Sequence, residues 1–296
     1  MLRCQARAAF SSAPAPQMQL QYARLVDAHR FHYVPLKSAR STRDCALCPT
    51  TIRAATAAGD MPFYAAGGRL TGALTAVGLC TAWDATEACC INENAGRNGG
   101  DTGFIRTVIN TVSSSVAVDS KARVPSCETA RKLTATVQRI YVVGIANGGF
   151  LAARLACEMP QLFAGILVYA AGFDAAQCTS TQNARVPLLL MHGDADVIVP
   201  FAGGVNSAGV AFPGFTASAA SWTTRNQCTG SASQNSFNVS GGGSRDDKYT
   251  VRATDYSGCV GGSTVAAWRI ERGQHFAMQA TSTVLFGKAL DWLMSR

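Results

Sequence analysis

The chain has 296 residues, of which 48% are apolar, and this size and composition suit one large α/β domain or two small ones. Its formal net charge of +8 lies mostly at the N-terminus, because residues 1–53 hold eight Lys and Arg against two Asp. The remainder has no basic stripe interleaved with aromatic residues, which argues against nucleic-acid binding. No apolar run reaches the about 18–20 residues of a membrane span, so we expect no membrane segment.

The first third of the chain contains few recognisable elements. We interpret residues 1–30 as a tail or truncated leader and predict a short strand over residues 31–35, ending at Pro35. Residues 36–78 are rich in Ala, Thr, Arg and Gly and show no clean period of 2 or 3.6. A compact domain rarely contains so long a stretch without helices or strands, so this segment does not fit the pattern of an ordinary folded domain.

The cysteine content indicates an oxidising compartment, since eleven cysteines are many for a cytosolic protein. Cys45 and Cys48 have metal or redox spacing, but no second pair and no His pair completes a zinc site. We therefore predict neither a metal nor another cofactor. The N-terminus lacks the continuous apolar core of a signal peptide, while Asn238-Val239-Ser240 is a glycosylation sequon compatible with secretion.

From Cys80 onward the elements are easier to predict. A helix is expected from Phe104 to about Ser114, and residues 123–137 are interpreted as a second helical or connecting segment. The apolar face of the first helix consists of Ile105, Val108, Ile109 and Val112.

The central stretch of the chain runs from residue 139 to residue 172. An apolar strand over 140–143 is followed by Gly-Ile-Ala-Asn-Gly-Gly over 144–149, then by a helix and by a second apolar strand over 166–169. A strand, a tight glycine turn and a helix form the frame of a nucleophile elbow, in which a serine stands on a strained turn. The residue at its centre is Ala146, which has no nucleophilic atom. The alternative interpretation is a dinucleotide-binding turn.

The sequence of the second half of the chain predicts two further strands and a closing helix. Residues 186–191 are a continuous apolar run, as expected for a strand buried on both faces. Residues 201–250 are polar and rich in Gly and Ser, so we expect a loop that covers the sheet edge. Residues 265–270 are the predicted last strand, and residues 285–294 the predicted closing helix.

Ionisable residues follow both of these strands. Open α/β sheets place their sites at the carboxyl ends of the strands. We expect His275 to act as a general base and Asp196 to orient it, with Asp194 as the alternative acid. His192 is interpreted as a structural residue beside the acid. The chain order of elbow, Asp and His is that of α/β-hydrolases.

The chain from about Cys80 to the C-terminus resembles the polyhydroxybutyrate depolymerase and feruloyl esterase group of secreted α/β-hydrolases, over roughly two-thirds of its length. The matching pieces, in order, are Trp83 with Cys89-Cys90, Asp101-x-Gly-Phe-Ile, Gly144-Ile-Ala-Asn-Gly-Gly-Phe, Leu155-Ala-Cys157-Glu158, His192-Gly-x-x-Asp196, Cys228, Tyr256-x-Gly-Cys259 and Gly273-x-His275. The resemblance implies an α/β-hydrolase fold, a mostly parallel sheet with helices on both faces. Residues 31–296 would form a single domain whose N-terminal third is irregular or degenerate, with 36–78 poorly matched.

The resemblance also implies an activity and a location. The activity would be ester hydrolysis through an acyl-enzyme, on a hydroxyalkanoate polyester or on a plant-wall feruloyl or acetyl ester. The location would be extracellular, in agreement with the cysteine content. Two disulfides are implied as well, Cys157–Cys178 and Cys228–Cys259.

The chain departs from the family pattern at the nucleophile and at the oxyanion hole. The family has serine where this chain has Ala146, and Ser207 has no strand before it. The Asn147 N–H would supply one oxyanion donor, but the upstream strand ending in His-Gly that supplies the other is missing before His192. Loss of the nucleophile costs on the order of 10⁶ in rate, so we expect no useful turnover from the chain as it stands.

Several explanations of Ala146 remain open. It is consistent with an engineered replacement of serine, with a natural loss, or with an imperfect sequence. The abrupt change of composition near Cys80 favours a diverged member, or one whose reading frame is wrong between Pro35 and Cys80. The alternative function is that of a non-catalytic ester- or glycan-binding protein on the same fold.

Overall fold

A computed structural model gives the structure of the protein. It describes residues 7–10, 32–35, 41–42, 80–81, 83, 85–89, 100–115, 140–178, 184–206, 209–240, 248–275, 277 and 282–296. Predictions that concern other residues lie outside this description; they concern most of 36–78, residues 123–137, Ser207, Cys45 and Cys48.

The described residues form twelve strands and four α-helices, numbered here in chain order. The strands are β1 (Arg7–Phe10), β2 (His32–Pro35), β3 (Ser41–Thr42), β4 (Cys80–Thr81), β5 (Ile140–Ile145), β6 (Gly165–Tyr169), β7 (Leu188–Gly193), β8 (Gly203–Val205), β9 (Ala211–Pro213), β10 (Ser233–Ser240), β11 (Lys248–Tyr256) and β12 (Val265–Ile270). The helices are α1 (Gly100–Ser115), α2 (Asn147–Glu158), α3 (Phe215–Arg225) and α4 (Ser282–Met294).

Eight of the strands form one sheet in the order β10-β11-β12-β7-β6-β5-β1-β2. The six strands from β12 to β2 are parallel, and β11 and β10 are added antiparallel at one edge. The chain runs outward from β1 to β2 and returns to β5 on the other side of β1. The carboxyl ends of β1 and β5 therefore flank a topological switch point, where open α/β sheets place their ligands.

Helices cover both faces of the sheet. Successive strand residues alternate between two apolar clusters, so that Val142 joins α2 on one face and Val143 joins α4 on the other. All residues of β5, β6 and β7 are buried, as expected for central parallel strands. The predicted α/β architecture, a mostly parallel sheet with helices on both faces, is confirmed.

The segment that we interpret as a tail contributes a strand to the sheet, next to the edge strand β2. Residues Arg7–Phe10 form β1, which pairs with β5 on one side and with β2 on the other. Such a strand depends on long-range pairing, and its four residues, Arg-Ala-Ala-Phe, carry no apolar run that distinguishes them from their surroundings. The predicted strand over 31–35 is confirmed as β2.

The prediction of a loop over residues 201–250 is wrong. This region contains β8, β9, α3, β10 and the start of β11, and β8 ends two residues before Ser207, which corrects the expectation that no strand precedes this serine. Helix α3 buries Phe215, Ala219 and Trp222 at helical spacing, although most of its other residues are Ser, Thr and Ala. The side chains of β10 are almost all exposed, so this edge strand lacks the apolar alternation from which strands are recognised.

The remaining predicted elements are present with shifted ends. Helix α1 begins at Gly100, four residues before the predicted start. Asp101 lies in its first turn, where the helix dipole stabilises a negative charge. Strand β12 has the predicted bounds, and α4 begins at Ser282. No helix within the described part of the chain has the length and apolar character needed to cross a membrane.

Candidate active site

The turn between β5 and α2 has a strained residue at its centre. Ala146 has φ 53° and ψ −121°, a region of positive φ that a residue with a Cβ rarely adopts. Its N–H donates to Tyr169 O at 2.9 Å, and its carbonyl accepts from Gly149 N at 2.8 Å and Phe150 N at 3.1 Å. The surrounding hydrogen bonds therefore hold the strained conformation, as a nucleophile elbow requires.

Two glycines allow the close packing around this elbow, defined here as residues 144–149. A Cβ on Gly144 would lie 2.0 Å from Gly148 O, and one on Gly149 would lie 2.7 Å from Tyr169 O. Neither space accommodates a side chain, so α2 approaches β5 and β6 at a distance that glycine alone permits.

Asp196 and His275 form a buried hydrogen-bonded pair. His275 Nδ1 lies 2.7 Å from Asp196 Oδ2, and their side chains are 5% and 0% exposed. Because a carboxylate accepts, Nδ1 carries the proton, and Nε2 of neutral His275 carries the lone pair that a general base uses. The N–H groups of Ile198 and Val199 both donate to Asp196 Oδ1 at 2.9 Å, which fixes the carboxylate.

The surroundings keep Asp196 ionised. Burial raises the pKa of this carboxyl, but several interactions lower it more. These are hydrogen bonds from His192 and His275, the charge of His275, and the hydrogen bond from Val199 N–H. The net pKa of Asp196 lies well below its usual range, so the carboxylate stays charged beside the imidazole.

His192 is packed beside the acid, as the sequence predicts for a structural residue. Its Nε2 lies 2.8 Å from Val199 O and 3.3 Å from Asp196 Oδ2. Both oxygens accept, so Nε2 carries the proton. The ring stands edge-on to Phe201 and Phe215, with centroids 5.6 and 6.1 Å away.

Asp194, the alternative acid, contacts other groups. Its Oδ2 accepts from Arg269 Nε at 2.8 Å, and its Oδ1 accepts from Arg272 N at 2.6 Å. The structure thus puts Asp196, and not Asp194, beside His275.

The elbow and the pair follow strands that end at the same edge of the sheet. Ala146 follows β5, while Asp196 and His275 follow β7 and β12, and all three strands are parallel. The hydroxyl of Tyr169, at the end of β6, lies 3.4 Å from Gln274 O, which links the strand beside the elbow to the loop of the histidine.

The chain is similar to several known proteins. Residues 95–208, which include the elbow and Asp196, match the model of the dienelactone hydrolase family. The fold is that of the α/β-hydrolases. Over 103 residues the chain is 28% identical to the candidate esterase NocK of Nocardia uniformis subsp. tsuyamanensis. That alignment covers 35% of the chain and 25% of NocK, so the chain spans about a quarter of the length of this relative.

Solved structures of hydrolases are similar at low identity. A thermostable esterase is 20% identical, with a TM-score of 0.25 over 34% of this chain and 22% of the esterase. A protein of unknown function from Agrobacterium tumefaciens, a candidate α/β-hydrolase, is 12% identical, with a TM-score of 0.45 over 99% of this chain and 86% of that protein.

Sequence reasoning missed a contact between the elbow and Trp83. Trp83 N donates to Asn147 Oδ1 at 2.6 Å, and Asn147 Nδ2 donates to Trp83 O at 3.0 Å and lies 3.3 Å from Cys89 Sγ. Burial raises the pKa of the Cys89 thiol to about 12, which keeps it protonated. Asn147, Trp83 and Cys89 all occur in the matching pieces of sequence, but nothing local to any of them predicts the contact.

The backbone N–H of Asn147 lies in the first turn of α2, where N–H groups have no acceptor within the helix. This is the position expected of an oxyanion donor. We expect the second donor within residues 36–78, of which the structure describes only Ser41–Thr42.

The two predicted disulfides are confirmed. Cys157 at the end of α2 is bonded to Cys178, and Cys228 after α3 is bonded to Cys259 in the loop before β12. In the described part of the chain, no group of three His, Cys, Asp or Glu side chains is placed to hold a metal ion.

Proposed function

We propose that this α/β-hydrolase is a carboxyl-ester hydrolase of the feruloyl esterase and polyhydroxybutyrate depolymerase type, with its nucleophile position occupied by Ala146. The observation that carries the proposal is the strained φ of 53° at Ala146, at the sheet edge to which β7 and β12 deliver Asp196 and His275. Strain of this kind persists where the fold over-determines it, and it clusters at active sites.

The chemistry requires one atom that alanine lacks. With serine at position 146, His275 Nε2 takes the hydroxyl proton as Oγ attacks the ester carbonyl carbon, and the imidazolium returns that proton to the departing alcohol. Asp196 stabilises the imidazolium. Water, deprotonated by the same histidine, then releases the acid from the acyl-enzyme. With Ala146 no acyl-enzyme forms, so the chain as it stands is inactive by this route.

The Asn147 N–H is the proposed oxyanion donor. It lies at the N-terminus of α2, whose dipole favours negative charge. An ester is the proposed substrate, a polyester or a plant-wall feruloyl or acetyl ester, and the similarity to esterases supports this class. The two disulfides support an extracellular location.

Hydrolysis of p-nitrophenyl acetate and butyrate tests this proposal. The variants are the chain as it stands, Ala146→Ser, and Ala146→Ser with His275→Ala. We expect the single variant to exceed both others by on the order of 10³-fold or more, since a nucleophile and its base act as a unit. A folded Ala146→Ser protein that is no faster than its His275→Ala derivative would contradict the proposal.

The second candidate function is binding of esters or glycans without cleavage. It is favoured by the retention of the elbow conformation in a chain that carries alanine at its centre. Because an inactive chain does not consume its ligand, calorimetry with ethyl ferulate or a hydroxybutyrate oligomer measures binding at equilibrium. Saturable binding together with an inert Ala146→Ser variant would favour this function over the first.

A further inference from the structure

We propose that Asp194 is a positioning residue for the candidate base. Its carboxylate joins the turn that carries Asp196 to the turn that carries His275, and thereby sets the distance between acid and base. The inference rests on the proposed function, because it takes the Asp196–His275 pair as the catalytic acid and base. Below, residues 194–199 are called the acid turn and residues 271–275 the base turn.

The two turns are already joined through their backbones. Asp194 N donates to Ile270 O at 3.1 Å, and Ala195 N donates to Gly273 O at 2.9 Å, which extends the pairing of β7 with β12 beyond the ends of the strands. A Cβ on Gly193 would lie 2.1 Å from Gly273 O, so the chains are in direct contact there. A shift of one turn must therefore move the other.

The Asp194 side chain adds two charge-assisted contacts to this junction. One carboxylate oxygen accepts from Arg272 N at 2.6 Å in the base turn. The other accepts from Arg269 Nε at 2.8 Å and lies 2.7 Å from Arg269 Nη2 on β12. The Asp194 side chain is 17% exposed, against 52% for Arg269, so the carboxylate is largely shielded from competing water.

The contact with Arg272 N stabilises an unfavourable backbone conformation. Arg272 has φ 57°, in the left-handed region that favours glycine. The turn is closed by Gly273 N, which donates to Ile270 O at 3.0 Å. Since His275 follows Gly273 by two residues, a change of φ at Arg272 displaces the imidazole from Asp196.

A neighbouring ion pair provides the matched control. Glu271, also in the base turn, binds Arg252 Nε at 2.7 Å, with side chains 31% and 59% exposed. This pair is comparable in chemistry to Asp194–Arg269, but it connects the base turn to β11 and does not reach the acid turn.

The test follows His275 by NMR in protein with ¹⁵N-labelled histidine, which is tractable because the sequence contains four histidines. The Nδ1 proton shared with a buried carboxylate gives a strongly downfield resonance. We expect Asp194→Asn to shift or abolish this resonance and Glu271→Gln to preserve it. Adding Arg272→Gly to Asp194→Asn should restore it, because glycine adopts positive φ without strain. In the Ala146→Ser background, Asp194→Asn should lower kcat on the order of 10–100-fold with KM unchanged.

Two outcomes would overturn the inference. One is an Asp194→Asn protein whose urea midpoint falls while the His275 resonance stays in place, since Asp194 would then stabilise the fold without positioning the base. The other is failure of Arg272→Gly to restore the resonance. Because the NMR signal needs no turnover, an inert Ala146→Ser variant with a normal His275 resonance counts against the proposed function alone.

Discussion

His275 Nδ1 lies 2.7 Å from Asp196 Oδ2, although the two residues are 79 positions apart in the chain. The sheet brings them together, because β7 and β12 are adjacent, parallel and in register up to the pairing of Gly193 with Ile270. Each strand delivers one residue to the same edge. The fold thus builds an acid–base pair without any sequence-local motif that contains both members.

The low pKa of Asp196 predicts a pH-dependent contribution to stability. A carboxyl whose pKa is depressed in the folded state contributes stability above its unfolded pKa of about 3.9, and this contribution disappears as the pH falls through the folded value. The difference in unfolding free energy between the protein and Asp196→Asn should therefore be largest near neutral pH and shrink below about pH 4.

Urea unfolding from pH 7 down to pH 3 measures this difference. Asp291→Asn, on the exposed face of α4, is the control. An Asp196→Asn penalty that stays constant across the range would show that the carboxylate charge contributes nothing.

The strain at Ala146 predicts an unusual effect of glycine. Ala146→Gly should raise the unfolding free energy by about 0.5–2 kcal/mol, because glycine tolerates φ 53° and relieves a strain of about 1–3 kcal/mol. Ala153→Gly, in the buried middle of α2, should instead lower it by about 1 kcal/mol or more. Chemical denaturation of both variants measures these changes in unfolding free energy. An equal decrease for the two variants would mean that the elbow is unstrained.

The contact between Asn147 and Trp83 predicts a large loss on truncation. Asn147→Ala leaves the Trp83 N–H and C=O without their partner in a buried setting, so we expect a loss of about 2–4 kcal/mol in unfolding free energy. Hydrogen exchange of residues 85–89 should increase as well. Asn235→Ala, exposed on β10, should change stability by less than about 0.5 kcal/mol. Unchanged exchange in residues 85–89 would argue that Asn147 does not hold this segment.

The disulfides predict a redox-dependent stability. Cys228 and Cys259 are 31 residues apart, and closing a loop of this length removes about 3–4 kcal/mol of chain entropy from the unfolded state. Replacing both by serine should lower the unfolding free energy by about that amount. Mass spectrometry after alkylation without reductant should find Cys157, Cys178, Cys228 and Cys259 unmodified. Alkylation of Cys228 and Cys259 in the folded, unreduced protein would contradict the assignment.

The elbow frame and the two strands that precede Asp196 and His275 could be predicted from local sequence patterns, whereas both disulfide pairings are implied by the resemblance to a known family. Continuous apolar runs are typical of buried parallel strands, and the glycines of the elbow reflect a local packing requirement. Each of these signals is contained in a few neighbouring residues. Such signals can be recognised without knowledge of the tertiary structure.

The remaining features of the fold and of the candidate site depend on contacts that no local sequence pattern encodes. Strand β1 exists through its pairing with β2 and β5, and β10 exposes nearly all its side chains, burying Val239. The bond between Asn147 and Trp83 spans 64 residues. The link from Asp194 to Arg272 likewise depends on how two turns meet. In each case the partner in space, and not the sequence neighbourhood, determines the structure.

Covalent labelling with a fluorophosphonate tests the central claim most directly, that residue 146 occupies the nucleophile position served by His275. The proteins are the chain as it stands, Ala146→Ser, and Ala146→Ser with His275→Ala, each analysed by peptide mass spectrometry. We predict a single adduct on residue 146 in Ala146→Ser, and none at this position in the other two proteins. A folded Ala146→Ser protein that retains the hydrogen bond between His275 and Asp196 and still forms no adduct would contradict the claim.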